Sequence, residues 1–124
     1  MSAFLPENAS VWFEIPVNDL ATGQDFYNKV LETELVEQTM GPNKVGIFPC
    51  KDPKTGVAGH IYEGKPGDVG KGSTIHLMVP TTLEAAMDRV VESGGKVVSD
   101  IFTIDSGRFV YCLDPDGNSI GLFN

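Results

Sequence analysis

The sequence predicts an α+β fold in which two βαβββ modules form curled mixed sheets around a cleft. An apolar strand pattern ends at Val17 and again at Val79, and each is followed by a polar break and an amphipathic helix pattern. The two valines are 62 residues apart (79 − 17), half of the 124-residue chain. Three further strand patterns follow each helix. A repeat of this kind indicates a duplicated unit, and the cleft between two such units is a natural ligand site.

The first module is expected to cover about residues 9–63. Residues 11–17 are rich in strand-forming residues, and Asn18 or Asp19 can cap the helix that follows. Apolar and small residues at 3.6-residue spacing form one face of this helix: Leu20, Gly23, Phe26, Tyr27, Val30 and Leu31. Three strand patterns separated by turn signals then follow: residues 34–40, 44–49 and 57–63.

Residues 64–72 are rich in glycine and are predicted to be the linker between modules, and a mobile flap beside the cleft. The second module is expected at about residues 73–124. Thr81 and Glu84 match a capping box at the start of its helix, and Gly94-Gly95 matches a helix end. The predicted apolar face comprises Leu83, Ala86, Met87, Val90 and Val91. The predicted strands are residues 74–79, 96–103, 108–113 and 119–123.

The composition is typical of a soluble globular protein, with 41% hydrophobic and 21% charged residues. The net charge of −8 repels phosphate backbones, so we expect no nucleic acid partner. No apolar run approaches the roughly 20 residues of a membrane span, and the first residues lack a signal-peptide pattern. We therefore expect no membrane association and a cytoplasmic location. Cys50 and Cys112 are then expected to be free, buried and unreactive thiols.

Three passages together carry a resemblance to a known family. Residues 17–20 (VNDL) followed by Phe26-Tyr27 look like a V-x-D-L…F-Y signature, Gly94-Gly95 matches a glycine-rich helix end, and residues 114–118 (DPDGN) form a turn before the last strand. In this order and spacing the chain resembles the vicinal oxygen chelate (VOC) superfamily, which has the glyoxalase/bleomycin-resistance/dioxygenase fold. The W-F-E-I that precedes the first signature is similar to the superfamily's uncharacterised, lactoylglutathione-lyase-related branch.

The resemblance implies a single domain that acts on or binds a small molecule. Typical members hold a divalent metal with one residue from the first and fourth strands of each module, and the metal acts as a Lewis acid. By the family motifs these positions fall on Trp12, Glu63, Thr74 and Gly121. Trp offers only an N–H donor and Gly has no side chain. We therefore expect no cofactor and no four-ligand metal site, with Glu63 as the one retained candidate metal ligand.

Glu14 and His76 are the candidate catalytic residues. They are equivalent under the 62-residue offset, so they are expected to face one another as an acid–base pair. Because alternate strand residues share a face, Glu14 and His76 could instead join Glu63 and His60 around a divalent metal. His60 and Glu63 are three residues apart, which places them on opposite faces unless a bulge intervenes. A purely structural Glu14–His76 hydrogen bond is the remaining alternative.

The candidate ligand-binding residues are Trp12, Tyr62, Tyr111 and Arg108. The three aromatic residues lie in predicted strands, where alternate side chains can line the concave face of a curled sheet. Ordinary core packing is the alternative for these rings. Arg108 begins a strand and could orient an anionic substrate, or it could be a solvated surface residue.

Two functions remain open from the sequence. The first is a glyoxalase-like protein that binds a small oxygenated or aromatic metabolite in the inter-module cleft without turnover. The second is a metal-dependent lyase, isomerase or dioxygenase that uses Glu14, Glu63 and His76. The missing metal ligands favour the first function, and the Glu14/His76 pairing favours the second. Under either function we expect a small-molecule ligand and a homodimer.

Overall fold

A computed structural model describes residues 2–124 and contains two helices and nine strands in two mixed, open sheets. The first half of the chain forms β1 (Trp12–Val17), α1 (Leu20–Leu31), β2 (Val36–Met40), β3 (Asn43–Ile47) and β4 (Ala58–Glu63). The second half forms β5 (Ile75–Met78), α2 (Leu83–Glu92), β6 (Lys96–Val97), β7 (Phe102–Ile104), β8 (Gly107–Leu113) and β9 (Ser119–Phe123). The α+β fold class predicted from the sequence is confirmed. In this part of the chain neither helix is long and apolar enough to cross a membrane.

Both sheets have the same topology. Sheet A has the order β1-β4-β3-β2 and sheet B the order β5-β9-β8-β6, while β7 also pairs with β8. The first strand runs parallel to the last in each sheet, and this register places Glu14 beside His60 and His76 beside Gly121. Glu14 and His76 are 62 residues apart, and His60 and Gly121 are 61 apart (121 − 60). The two strand pairs therefore occupy equivalent places in the two modules.

Helix α1 begins as its sequence predicts. The carboxylate of Asp19 accepts a hydrogen bond from the backbone N–H of Thr22 (2.9 Å), which satisfies a free donor of the first turn. Glu32 ends the helix in the left-handed region (φ 51°), and its N–H donates to the carbonyl of Asn28. The buried residues of α1 are the six that the periodicity predicts: Leu20, Gly23, Phe26, Tyr27, Val30 and Leu31.

Helix α2 is capped by Thr82, so the predicted capping box at Thr81 and Glu84 is wrong. The hydroxyl of Thr82 accepts from the backbone N–H of Ala85 (3.2 Å). Glu84 has another partner, because its carboxylate accepts a hydrogen bond from the guanidinium of Arg108 at 2.8 Å. This ion pair lowers the pKa of Glu84. The tertiary contact thus removes the glutamate that a capping box requires.

The core lies between the helices and one face of each sheet. α1 packs against α2, and Val17 and Ile61 of sheet A are fully buried, as are Val110, Ile120 and Leu122 of sheet B. These residues recur at every second position of their strands. The alternate positions, which include Glu14 and His76, therefore lie on the opposite faces of the sheets, away from the helices.

The turn at residues 114–118 joins the two modules. The hydroxyl of Tyr27 on α1 donates to the buried carboxylate of Asp114 (2.7 Å), and the side-chain amide of Asn118 donates to the carbonyl of Pro16 (2.7 Å). Asn18 adds a hydrogen bond to the carboxylate of Asp116 (2.8 Å). Burial and the nearby Asp114 carboxylate raise the pKa of Tyr27 well above its usual value.

Two segments differ from their predictions. The predicted strand 96–103 is divided into β6 and β7, because the hydroxyl of Ser99 accepts the backbone N–H of Tyr111 (2.9 Å) in place of a strand carbonyl. The linker, residues 64–72, lies against the 114–118 turn, where the N–H of Gly70 donates to the carbonyl of Gly117 (2.9 Å). This contact anchors the segment for which a mobile flap beside the cleft was predicted.

Candidate functional site

Three side chains on the open face of sheet A form a hydrogen-bonded chain. The indole Nε1–H of Trp12 donates to Nδ1 of His60 (3.0 Å), and Nε2 of the same ring lies 3.1 Å from Oε1 of Glu14. His60 is 5% exposed, whereas the side chain of Glu14 is 62% exposed. Trp12 and Glu14 are two residues apart on β1 and share a face. The buried imidazole therefore links two exposed groups.

The hydrogen bonds determine the tautomer of His60. The indole nitrogen can only donate, so Nδ1 of His60 must accept and cannot carry the proton. The proton then lies on Nε2, which donates to Glu14. A neutral imidazole thus orients the Glu14 carboxylate, whose second oxygen has no protein hydrogen bond within residues 2–124. Glu14 is paired with His60, and the predicted Glu14–His76 pair is not formed.

The open face of sheet B is aromatic. The ring of His76 packs edge-on against Phe109 and Tyr111, with ring centroids 5.5 and 5.7 Å apart, and Phe102 packs against the same two rings. His76 also lies directly over Gly121, where a Cβ atom would overlap the imidazole. Tyr111 thus lies on the open face of sheet B. It is in the other sheet from Trp12 and Tyr62.

Two predicted site residues are engaged elsewhere. The carboxylate of Glu63 accepts the backbone N–H of Leu20 (3.0 Å) at the start of α1, on the helix-facing side of sheet A. The structure therefore does not bring Glu63 together with Glu14, His60 and His76. Arg108 binds Glu84 of α2, so its guanidinium does not lie with the aromatic rings of β8. His60 and Glu63 therefore lie on opposite faces of sheet A, as their spacing of three residues predicts.

Two adjoining cavities lie beside β1, and the first of them also borders β5. The seam cavity, of about 530 Å³, is lined by both modules, and its lining includes Phe13, Phe48, Leu77, Met78 and His76. The sheet cavity, of about 390 Å³, lies on the open face of sheet A and is lined by Trp12, Val36, Ile47 and Ala58 among others. Phe48, Pro49, Cys50 and Ala58 line both cavities. Their sizes and apolar linings are typical of small-molecule sites.

The two cysteines differ in exposure, which corrects the prediction that both are buried. Both are free thiols, but only Cys112 is buried; Cys50 is partly exposed and lines both cavities. Burial raises the pKa of Cys112 to about 11, so this thiol is protonated and inaccessible at neutral pH. Cys50 is therefore the thiol that a reagent in the cleft would meet.

Comparison with known proteins now identifies the family. The model of the glyoxalase/bleomycin resistance protein/dioxygenase superfamily matches residues 9–122. The chain belongs to this superfamily. No curated protein matches it significantly.

Solved structures of the superfamily share the fold at low sequence identity. A glyoxalase/bleomycin resistance protein from Albidiferax ferrireducens T118 is 21% identical over 94% of this chain and 98% of that chain, with a TM-score of 0.68. A second, from Streptomyces sp. CB03234, is 23% identical over 94% and 100% of the two chains, with a TM-score of 0.64. The fosfomycin resistance protein FosX from Mesorhizobium loti is 16% identical over 97% and 93%, with a TM-score of 0.64.

The superfamily's metal positions can now be located by strand register. The fourth-strand position of the second module is Gly121, and its equivalent in the first module is His60, not Glu63. The four positions are therefore Trp12, His60, Thr74 and Gly121. The sequence alone indicated Glu63, because the equivalence depends on which residues of β1 and β4 pair, and this pairing is not visible in the sequence. The 61-residue spacing from His60 to Gly121 was the signal available.

These four residues do not fit a divalent metal. Trp12 can only donate, both nitrogens of His60 are hydrogen-bonded, and Gly121 has no side chain. The hydroxyl of Thr74 is hydrogen-bonded to that of Ser119 (2.6 Å). Within residues 2–124, no group of three His, Cys, Asp or Glu side chains is arranged to hold an ion.

Proposed function

We propose that this glyoxalase-like protein binds a small aromatic or oxygenated amphipathic molecule in the inter-module cleft, without the superfamily's four-ligand metal site. The observation that carries the proposal is the pair of apolar cavities that meet at residues 48–50 and at Ala58. A ligand there would displace water from apolar surface, which is the main driving force for binding in such pockets.

The polar groups near these cavities are few and well placed. His76 lines the seam cavity, and the Trp12–His60–Glu14 chain begins in the wall of the sheet cavity. A small number of fixed polar groups in an apolar pocket orients a ligand. This arrangement supports recognition of a molecule that has an apolar body and a polar end.

The metal-dependent lyase, isomerase or dioxygenase alternative receives less support. It requires Glu14, Glu63 and His76 to act together, but the carboxylate of Glu63 accepts the N–H of Leu20 on the other face of the sheet. A metal-free enzyme in which Glu14 accepts a proton is compatible with its free carboxylate oxygen. We place binding first because no second acid or base contacts Glu14 besides the neutral His60 in the described chain.

Binding can be tested through the reactivity of Cys50. We expect iodoacetamide at pH 8 to modify Cys50 in the native protein and Cys112 only after denaturation. The neutral probe N-phenyl-1-naphthylamine should fluoresce on binding and should protect Cys50. At a probe concentration about ten times its Kd, roughly nine-tenths of the sites are filled, so alkylation should slow about tenfold. Mass spectrometry of timed samples measures this rate.

A matched control uses a thiol outside the cleft. In the double variant Cys50→Ser, Gly67→Cys, the new thiol lies in the linker, where an added Cβ has no neighbour within 4 Å. Its alkylation should not respond to the probe. Probe fluorescence without protection of Cys50 would place the binding elsewhere, and the absence of any probe binding would also contradict the proposal.

We further propose that the protein forms a homodimer through the open face of sheet B and is cytoplasmic. Large apolar side chains on the open face of sheet B, including Met78, Phe102 and Ile104, are exposed in the single chain. Family members that dimerise, and the duplicated shape of this chain, favour a second copy as the partner. The two free thiols support a reducing compartment.

The dimer is tested by light scattering during size-exclusion chromatography. We expect twice the chain mass, and we expect Phe102→Asp to shift the protein towards the monomer because it puts a charge on the open face. The control, Val91→Asp, changes an apolar residue of α2 that is exposed on the opposite side of the module. A monomeric native protein, or equal behaviour of the two variants, would contradict the proposed interface.

A further inference from the structure

We propose that Trp12, Glu14 and His60 form a subsite for an organic ammonium group, so that the cleft takes an amphipathic amine. This inference rests on the proposed binding function and narrows its ligand class. We call these three side chains the ammonium subsite.

The ammonium subsite combines an aromatic face with a carboxylate. Trp12 is 43% exposed and lines the sheet cavity, and Glu14 lies next to it on the same face of β1. Side chains at positions i and i+2 of a strand are about 6–7 Å apart, which is a distance that one ammonium group can bridge. An ammonium ion over an indole ring is attracted by the negative face of the ring, and a nearby carboxylate adds direct charge attraction.

His60 holds both groups in place. Its buried ring accepts from Trp12 and donates to Glu14, so one rigid side chain determines the positions of both. Binding groups that are already ordered lose little conformational entropy when a ligand arrives. His60 is therefore a positioning residue. Its neutral tautomer leaves the carboxylate of Glu14 as the net charge of the subsite.

The charges around the cleft favour a cation over an anion. Among the described residues that line either cavity, none is Lys or Arg, and Glu32 adds a carboxylate to the seam cavity. Arg108, the predicted anion-binding residue, is paired with Glu84. The chain as a whole carries a net charge of −8. An anionic ligand would find no counter-charge here, whereas an ammonium group would find Glu14.

The sheet cavity can hold the apolar part of the amine. Its walls near Trp12 are formed by Val36, Ile47 and Ala58, which offer apolar contact to an aromatic or aliphatic body. Glu14 lies beyond the cavity wall and is largely exposed. The geometry thus orients an amine with its apolar end in the cavity and its charged end at the rim, still partly hydrated.

Trp12 is the single tryptophan of the chain, so its fluorescence reports directly on this subsite. Three probes of similar size separate the charges: 2-phenylethylammonium, 2-phenylethanol and 3-phenylpropanoate. The change in Trp12 emission during titration gives the Kd of each probe. The ammonium probe should bind about tenfold more tightly than the alcohol, and the carboxylate probe should bind most weakly. The advantage of the ammonium probe should shrink as salt is raised.

The matched variants are Glu14→Gln and Glu34→Gln. Glu14→Gln keeps the shape and the acceptor for His60 but removes the charge, and Glu14 is exposed, so folding should be retained. It should reduce the preference for the ammonium probe to the part that the Trp12 ring supplies and leave the Kd of the alcohol unchanged. Glu34 lines neither cavity, so Glu34→Gln should leave all three values unchanged.

The outcomes separate this inference from the proposed function. Equal affinity for ammonium and carboxylate probes, or no effect of Glu14→Gln, would overturn the ammonium subsite. If N-phenyl-1-naphthylamine binds and protects Cys50 but none of the three small probes changes Trp12 emission, the inference is wrong and the binding function stands. If the naphthyl probe also fails, both are wrong.

Discussion

Replacing Asp114 with alanine is expected to lower the free energy of unfolding by about 3 kcal/mol, because it leaves one buried and several partly buried donors without their acceptor. The carboxylate of Asp114 accepts hydrogen bonds from the hydroxyl of Tyr27, the side-chain amide of Asn118, and the backbone N–H groups of Asp116 and Asn118. Asp114 itself is buried. The variant therefore loosens both the last turn and the contact between modules.

Urea denaturation followed by circular dichroism measures this effect. Tyr27→Phe removes one of the hydrogen bonds and should cost less, about 1.5 kcal/mol. The control is Asp105→Ala, which changes an exposed aspartate in the turn between β7 and β8. Its effect should stay within about 0.5 kcal/mol. If Asp114→Ala were no more destabilising than Asp105→Ala, the 114–118 turn would not tie the modules together energetically.

Replacing Gly59 with alanine should also be strongly destabilising. Gly59 lies in β4 beside Phe13 of β1, and an added Cβ would come within 3.0 Å of both the backbone carbonyl and the ring of Phe13. A backbone atom cannot turn away as a side chain can, so the two strands must separate. We expect a loss of about 3 kcal/mol, at the upper end for overpacking in a core.

The linker provides the matched substitution for Gly59→Ala. Gly67→Ala adds the same methyl group where no atom lies within 4 Å and where the backbone φ is ordinary. Thermal or urea unfolding should show no loss of stability, and a gain of up to about 1 kcal/mol is expected from the reduced freedom of the unfolded chain. Equal destabilisation by both substitutions would mean that the close approach of β1 and β4 is not the cause.

Helix α1 was predictable because its determinants are local. Its six buried residues follow from the 3.6-residue period, and Asp19 caps it through a contact three residues away. The α2 face was predicted less well. Val91 is 62% exposed although it fits the period, and α2 buries only Leu83, Ala86 and Val90.

The cap of α2 shows where local signals fail. Thr81 and Glu84 have the spacing of a capping box, yet Arg108 lies 24 residues further along the chain and binds Glu84. The hydroxyl of Thr81 accepts instead from the guanidinium of Arg89 (2.9 Å). The pairing of Glu84 with Arg108 cannot be inferred from the helix sequence alone, since Arg108 lies in β8.

The candidate site, like the helices, could be predicted from the sequence only in part. Residue type and the family motifs pointed to Glu14 and Trp12, and chemistry alone shows that Trp12 and Gly121 cannot hold a metal. The partner of Glu14 was predicted as His76 from the internal repeat. The structure pairs it with His60, because parallel pairing of β1 and β4 places these two side by side.

The buried face and the N-cap of α1 and the last turn could be read from the chain because each depends on residues within a few positions of one another. The hydrogen-bonded chain from Trp12 to Glu14, the position of Glu63 behind the sheet and the two cavities could not. These features depend on which strands pair and in what register, and a shift of one residue would turn every side chain to the other face.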